Sequence, residues 1–184
     1  MKKIFAMLLV VCLLLSLAAC GAKTNQTTTP TTGTTEAVVN VEGTMEELLN
    51  KIVEIKPVEF FGGTMPLDLT DTSEDGLWNL KYNTGLDNAE NITDAAVFGP
   101  MMGSMAFSMV TVRVKEGADV AAVAEGMKTG IDPRKWICVE ADDVQVVSYG
   151  DVVMLIMVAS DSGLTSQSFV DAFAQVCGGN VTVH

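Results

Sequence analysis

One acidic stretch of the chain has the residue types and spacing of a calcium-binding loop. Asp71, Ser73 and Asp75 place side-chain oxygens at alternate positions and Gly76 follows them, as at the start of an EF-hand loop. The pattern fails where Tyr82 replaces the glutamate that would supply two ligand oxygens. Because coordination would be incomplete, we favour helix capping for these acids and keep a calcium-dependent module as an alternative.

A second acidic cluster, Glu140, Asp142 and Asp143, stands directly before a predicted strand. Two carboxyl groups that face each other about 5 to 9.5 Å apart can hydrolyse a glycosidic bond. A carboxylate-based hydrolase of cell-wall glycan is therefore a second alternative. Solvated acids are the simpler interpretation of such a cluster.

Other catalytic patterns are missing from the sequence. The only histidine is His184, the last residue, which we expect to fray, so a Ser–His or Cys–His hydrolase is not expected. Zinc would need clustered His and Cys, and glycine-rich phosphate-binding patterns are absent. The frequent methionines suit core filling better than Cu(I) ligation. We expect no catalytic residue, metal or cofactor.

Cys20 ends a segment typical of exported proteins. Two lysines and an apolar run over residues 4–15 are followed by small residues and then Cys20. In bacterial lipoproteins a cysteine at this place receives a diacylglycerol and becomes the new N-terminus after cleavage. We therefore expect residues 1–19 to be a lipoprotein signal peptide and Cys20 to be the lipid-attachment site. Two acyl chains give a long-lived anchor on the outer face of the cytoplasmic membrane, whereas the apolar run is too short to span it.

Two further cysteines, Cys138 and Cys177, stand in apolar segments. A disulfide would require their Cα atoms to lie within about 7 Å. Buried free thiols are the favoured interpretation, and a bridge stays open.

The net charge of −12 would become more negative on cleavage, because the signal peptide contains two lysines and no acid. Such acidity disfavours nucleic acid and bare anionic surfaces as partners. The length suits one domain with a core.

The Thr-rich composition of residues 20–43 predicts a flexible linker, and residues 44–184 are expected to form one domain. Thr44 and Glu47 make a capping box that begins a helix, and Pro57 ends it. A tight hairpin is predicted at Gly150-Asp151. The spacing of apolar residues predicts further helices over 73–83, 119–128 and 165–177, strands over 95–98, 105–114, 144–149 and 152–159, a short edge strand over 180–184, and a loop over 60–71. These elements predict an α+β fold, a small and mainly antiparallel sheet with helices packed on one side.

Two apolar loops lie near glycines, Phe60 to Gly63 and Met101 to Gly103. They would be a contact surface if exposed. They would equally serve to cover a sheet edge.

The strand Phe107–Val114, the helix through Val120 and Met127, and the hairpin Val144–Met154 follow one another in an order that resembles a known family. This family comprises uncharacterised lipoproteins of anaerobic Gram-positive bacteria, grouped as domain of unknown function 4358. The resemblance covers roughly residues 90–177. Here the helix is poorer in charge and residues 131–136 replace a Tyr-Pro-type segment of the family. The resemblance implies a location and a fold. It brings no activity, cofactor or site residue.

The expected function is that of a lipid-anchored extracytoplasmic protein, a non-catalytic surface binding or interaction module. Its expected partners are the membrane, through the lipid on Cys20, and a cell-envelope protein or glycan.

Overall fold

The computed structural model describes residues 40–102 and 105–184. In chain order the elements are α1 (Met45–Ile55), β1 (Gly62–Pro66), α2 (Glu74–Thr84), β2 (Ile92–Pro100), β3 (Phe107–Val114), α3 (Val120–Gly130), β4 (Asp143–Tyr149), β5 (Val152–Val158), a 3₁₀ turn (Ser160–Ser162), α4 (Ser166–Cys177) and β6 (Thr182–Val183). All described residues belong to one folded unit.

The strands form one antiparallel sheet in the order β1-β2-β3-β5-β4-β6, which confirms the predicted α+β class. The prediction of a loop over residues 60–71 is wrong in part, because β1 lies within it and pairs with β2. A strand that contains two glycines and a proline has almost no local signal. Pairing with β2 therefore has to supply the strand conformation that the local sequence does not favour.

Helices cover both faces of the sheet, not one face as predicted. One core cluster joins α1 and α4 to the sheet, and the other joins α2 and α3 to the opposite face. The reason is visible in the central strands, since β5 is buried along its whole length and β3 nearly so. A strand that is apolar on both faces needs cover on both.

The start of α1 matches its sequence signal. The Thr44 hydroxyl accepts a hydrogen bond from the amide of Glu47 at 3.1 Å, and the Glu47 carboxylate accepts one from the amide of Thr44 at 3.0 Å. The predicted capping box is confirmed, and it satisfies two amides that the first helical turn leaves free. Met45, Leu48 and Ile52 then face the core.

The predicted hairpin is also confirmed. Tyr149 pairs with Val152, so the turn consists of Gly150 and Asp151 alone. Gly150 has a φ of 57° and Asp151 does not have a positive φ, which is the φ pattern of a type II′ turn.

Two glycines let α2 and α3 meet at their carboxyl ends. A Cβ on Gly130 would lie 2.0 Å from the carbonyl oxygen of Gly85, closer than any real contact. The absence of a side chain at Gly130 is therefore a requirement of this helix packing.

Candidate functional site: an apolar corner of the sheet

The predicted lipid-attachment site, Cys20, lies outside the described residues, as do the signal peptide and residues 20–39 of the predicted linker. They stay predictions. Within the described ranges, no helix is long and apolar enough to span a membrane.

The calcium-like stretch serves to begin α2. The Asp71 carboxylate accepts a hydrogen bond from the amide of Ser73 at 2.9 Å, and the Ser73 hydroxyl accepts one from the amide of Gly76 at 3.1 Å. The hydrogen bonds from Ser73 hold the pKa of Asp71 below its ordinary value. These contacts are the capping arrangement that we favoured. Among the described residues, no group of three His, Cys, Asp or Glu side chains is placed to hold a metal ion.

The second acidic cluster is divided between different structural contacts. The Asp142 carboxylate accepts hydrogen bonds from the amide of Ser160 at 2.7 Å and from its hydroxyl at 2.6 Å, which lower the pKa of Asp142. Asp143 instead accepts from the amide of Ser166, at 2.8 Å, and from its hydroxyl, and so caps α4. Glu140 is exposed. Asp142 and Asp143 thus each fasten a separate segment after β5.

The chain terminus is docked, so the expectation that His184 frays is wrong. The amide of His184 donates to the carbonyl of Val146 at 3.0 Å, and its Nε2 lies 2.7 Å from the hydroxyl of Ser148. Pairing of β6 with β4 brings the two side chains together. Ser148 is only 7% exposed, and no carboxylate of the described residues is hydrogen-bonded to the His184 ring. The contact between Ser148 and His184 links β6 to β4 at this edge of the sheet. It lacks the orienting acid of a hydrolase triad.

Lys135 was not singled out by sequence reasoning. Its Nζ donates to the carbonyl of Tyr82 at 3.0 Å and to the hydroxyl of Ser108 at 3.3 Å, and it lies 4.7 and 5.2 Å from the ring centres of Tyr82 and Trp136. Burial lowers the pKa of Lys135 to about 8. Tyr82 lies in the last turn of α2, where carbonyls lack helical partners, so Lys135 caps this helix from the loop after α3.

Both cysteines of the folded part are free thiols. Cys138 is exposed, so the expectation that both thiols are buried is wrong for it. Cys177 is partly buried, and this burial raises the pKa of its thiol to about 11.

Three side chains hold the backbone where the described chain begins. Asp151 accepts from the amide of Val41 at 2.9 Å, Arg113 donates to the carbonyl of Gly43 at 2.6 Å, and Asp94 accepts from the amide of Met45 at 2.9 Å. A cavity of about 610 Å³ lies beside this cluster and is lined by Arg113 and Asp151 among others. Arg113 and Asp151 are paired with each other, so neither charge is left over to bind a ligand in this cavity.

The strongest candidate for contact with another molecule is a set of exposed apolar side chains at one corner of the sheet. We call Phe61, Met65, Met101 and Met102 the apolar corner. Their exposed fractions are 72%, 55%, 59% and 78%. Large apolar side chains grouped in this way on a surface mark sites of interaction.

The register of β1 with β2 makes these side chains one surface. Gly63 and Met65 lie on one face of β1, opposite Gly99 and Val97. Phe61, directly before the strand, continues this alternation opposite Met101. A Cβ on Gly63 would lie 3.0 Å from the sulfur of Met101. The Met101 side chain therefore lies over Gly63, in the gap between Phe61 and Met65.

The corner lies on an open sheet edge. The carbonyl of Phe61 accepts a hydrogen bond from the amide of Met101 at 3.0 Å, and the amide of Leu67 donates one to the carbonyl of Ala95 at 2.9 Å. The odd-numbered residues of the β1 segment therefore direct their amides and carbonyls toward β2. Alternation along an antiparallel strand then directs the amides and carbonyls of Gly62 and Thr64 away from the sheet. Such an edge can accept a further strand.

The sequence pointed to part of this surface. Phe61, Met101 and Met102 lie in the two apolar loops for which the sequence predicts either a contact surface or cover for a sheet edge. Phe60, their neighbour, packs instead against Phe98 and Phe107 in the core. Met65 was missed because only the pairing of β1 places it beside Phe61.

A comparison with known proteins finds no match for this chain, whether among family models, curated proteins or solved structures.

Proposed function

We propose that this protein is a lipid-anchored extracytoplasmic binding module, held through Cys20 on the outer face of the cytoplasmic membrane, and that it binds through the apolar corner. One observation carries the binding role: Phe61, Met65 and Met101 are exposed on one face of the paired β1 and β2 segments, at the edge of the sheet. Leaving three large apolar side chains in water costs free energy that binding would recover.

The anchor is supported by the signal-peptide pattern that ends at Cys20. The contacts of Asp94, Arg113 and Asp151 with the backbone of residues 41–45 fit this role. They would transfer a pull on the N-terminal tether directly to the sheet. The likeness of residues 90–177 to the domain of unknown function 4358 lipoproteins stays a prediction.

A non-catalytic role is supported by the engagement of the acidic side chains. Asp142 and Asp143 accept hydrogen bonds from two different serines and their amides, which leaves neither carboxylate unengaged. The alternatives, a glycan hydrolase and a calcium-dependent module, gain no supporting observation in residues 40–102 and 105–184.

The anchor is tested by metabolic labelling with palmitate and by fractionation of the producing cells. We expect the wild-type chain to carry label and to sediment with membranes, and Cys20→Ser to lose the label. Cys12→Ser, in the part that would be cleaved, is the matched control and should leave the label unchanged. A labelled Cys20→Ser protein would overturn the anchor.

The binding surface is tested in intact cells with a photo-crosslinking amino acid at position 65. Ile137 is the matched control, since it is also apolar and is 83% exposed outside the corner. We expect crosslinked products from position 65 to exceed those from position 137 at least fivefold. Equal yields at the two positions would overturn the assignment of the corner.

A further inference from the structure

We infer that the apolar corner takes a second copy of this chain, by antiparallel pairing of β1 with β1 of that copy across a two-fold axis at Gly63. This inference rests on the proposed function, since it names the occupant of the same surface.

The outward backbone groups of β1 are self-complementary. Gly62 and Thr64 each direct one amide and one carbonyl away from β2. With the axis at Gly63, Gly62 of one copy faces Thr64 of the other, and each pair exchanges two hydrogen bonds. Four hydrogen bonds then join the copies, and every outward group of Gly62 and Thr64 is satisfied.

The same register matches the exposed apolar side chains. Phe61 and Met65 stand two residues on either side of Gly63, on one face of the strand. The axis therefore places Phe61 opposite Met65 of the second copy, and Met65 opposite its Phe61. Two glycines meet at the centre, where the Met101 side chains already lie.

Neighbouring registers lose this match. Moving the axis to Thr64 places Gly62 opposite Pro66, which has no amide to donate. Moving it to Gly62 places Phe61 opposite Gly63, so no apolar pair forms. Only the axis at Gly63 pairs Phe61 with Met65 and leaves proline at the outer ends.

Charge does not oppose the contact locally. The segment from Phe61 to Pro66 contains no charged residue in a protein of net charge −12. Two acidic copies repel at longer range, and salt screens that repulsion, so pairing should strengthen as ionic strength rises. Tethering of both copies to one membrane would further raise their effective concentration.

Single cysteines test the register in intact membranes, in a Cys138→Ser background that removes the exposed thiol. Facing residues of a non-hydrogen-bonded antiparallel pair have Cα atoms about 4.5 Å apart, within disulfide range. Gly63→Cys should therefore form a disulfide-linked dimer on mild oxidation. Phe61→Cys alone should not, because the two copies of position 61 would be about 13 Å apart. Phe61→Cys produced together with Met65→Cys should give the mixed dimer.

The expected result is at least tenfold more dimer from Gly63→Cys than from Phe61→Cys, and mixed dimer from the Phe61→Cys and Met65→Cys pair. Equal, low yields from all of these variants would overturn the pairing. That failure is distinguishable from failure of the proposed function. If position 65 gives no photo-crosslinks, the apolar corner is not a binding surface and the proposed function fails. If position 65 crosslinks only to other molecules, the corner is still a binding surface, but its partner is not a second copy of this chain.

Discussion

Arg113 of β3 and Asp151 of the β4–β5 turn form an ion pair that is largely removed from solvent. Each partner also binds backbone at the start of the described chain, Asp151 through the amide of Val41 and Arg113 through the carbonyl of Gly43. The Asp151 carbonyl further accepts from the amide of Val114 at 2.7 Å. One pair of charges therefore joins the hairpin turn, the central strand and the segment that leads into α1.

Removing one member of this pair should cost more than removing both. Arg113→Met leaves the Asp151 carboxylate buried without its counter-ion, and we expect a loss of about 2–4 kcal/mol in the free energy of unfolding. Adding Asp151→Asn should restore part of that loss, because no buried charge then remains. Denaturant titration of the two single variants and the double variant measures the coupling. Additive losses would contradict a coupled pair.

Two glycines of α3 should respond differently to alanine, with a loss of stability at only one of them. Gly130→Ala forces the new Cβ against the carbonyl of Gly85 and should cost about 2–3 kcal/mol. Gly126→Ala places its Cβ 3.2 Å from the end of the Leu86 side chain, which can move aside. Alanine favours helix by up to about 1 kcal/mol, so Gly126→Ala should range from neutral to stabilising. Thermal unfolding of both variants checks this, and a comparable loss in the two would contradict the close approach of α2 and α3.

The two thiols of the folded part should react at very different rates. With the pKa of Cys177 raised to about 11, only about one molecule in a thousand carries its thiolate at pH 8. Cys138 is exposed and should be alkylated at least a hundredfold faster. Timed iodoacetamide labelling followed by peptide mass spectrometry measures both rates. In denaturant the rates should converge, and equal rates in the folded protein would contradict the burial of Cys177.

Lys135 should make stability rise with pH in the alkaline range. Burial lowers its pKa from 10.5 to about 8, so between these values the unfolded chain binds more protons than the folded one. Stability contributed by this group therefore increases from pH 8 upward, and below pH 8 the cost of the buried charge is present in full, on the order of 3 kcal/mol.

Lys135→Met removes this titration while keeping much of the side chain. Relative to Lys135→Met, the wild-type protein should gain about 2 kcal/mol between pH 7.5 and pH 10, because other titrating groups cancel in the difference. Lys115 is exposed, so Lys115→Met, measured over the same pH range, is the matched control for removing a lysine. A flat difference for Lys135→Met would show that its amine is well solvated in the folded protein.

Local signals in the sequence determined much of the fold. The capping box of Thr44 and Glu47, the hairpin at Gly150-Asp151 and the spacing of apolar residues in α3 and α4 act within a few residues of each other. They predicted those elements to within one or two residues of their ends. The acids before α2 followed their predicted capping role for the same reason.

Only the tertiary structure decided β1, the cover on both faces of the sheet and the apolar corner. Phe61 and Met101 are far apart in the chain, and they pair because β2 supplies a partner for a segment with almost no strand propensity of its own. The docking of His184 on β4 and the burial of Lys135 likewise depend on neighbours distant in sequence. Periodicity and capping are properties of a few adjacent residues, whereas pairing register and burial are set by the whole packed chain, so the sequence alone could not place this surface.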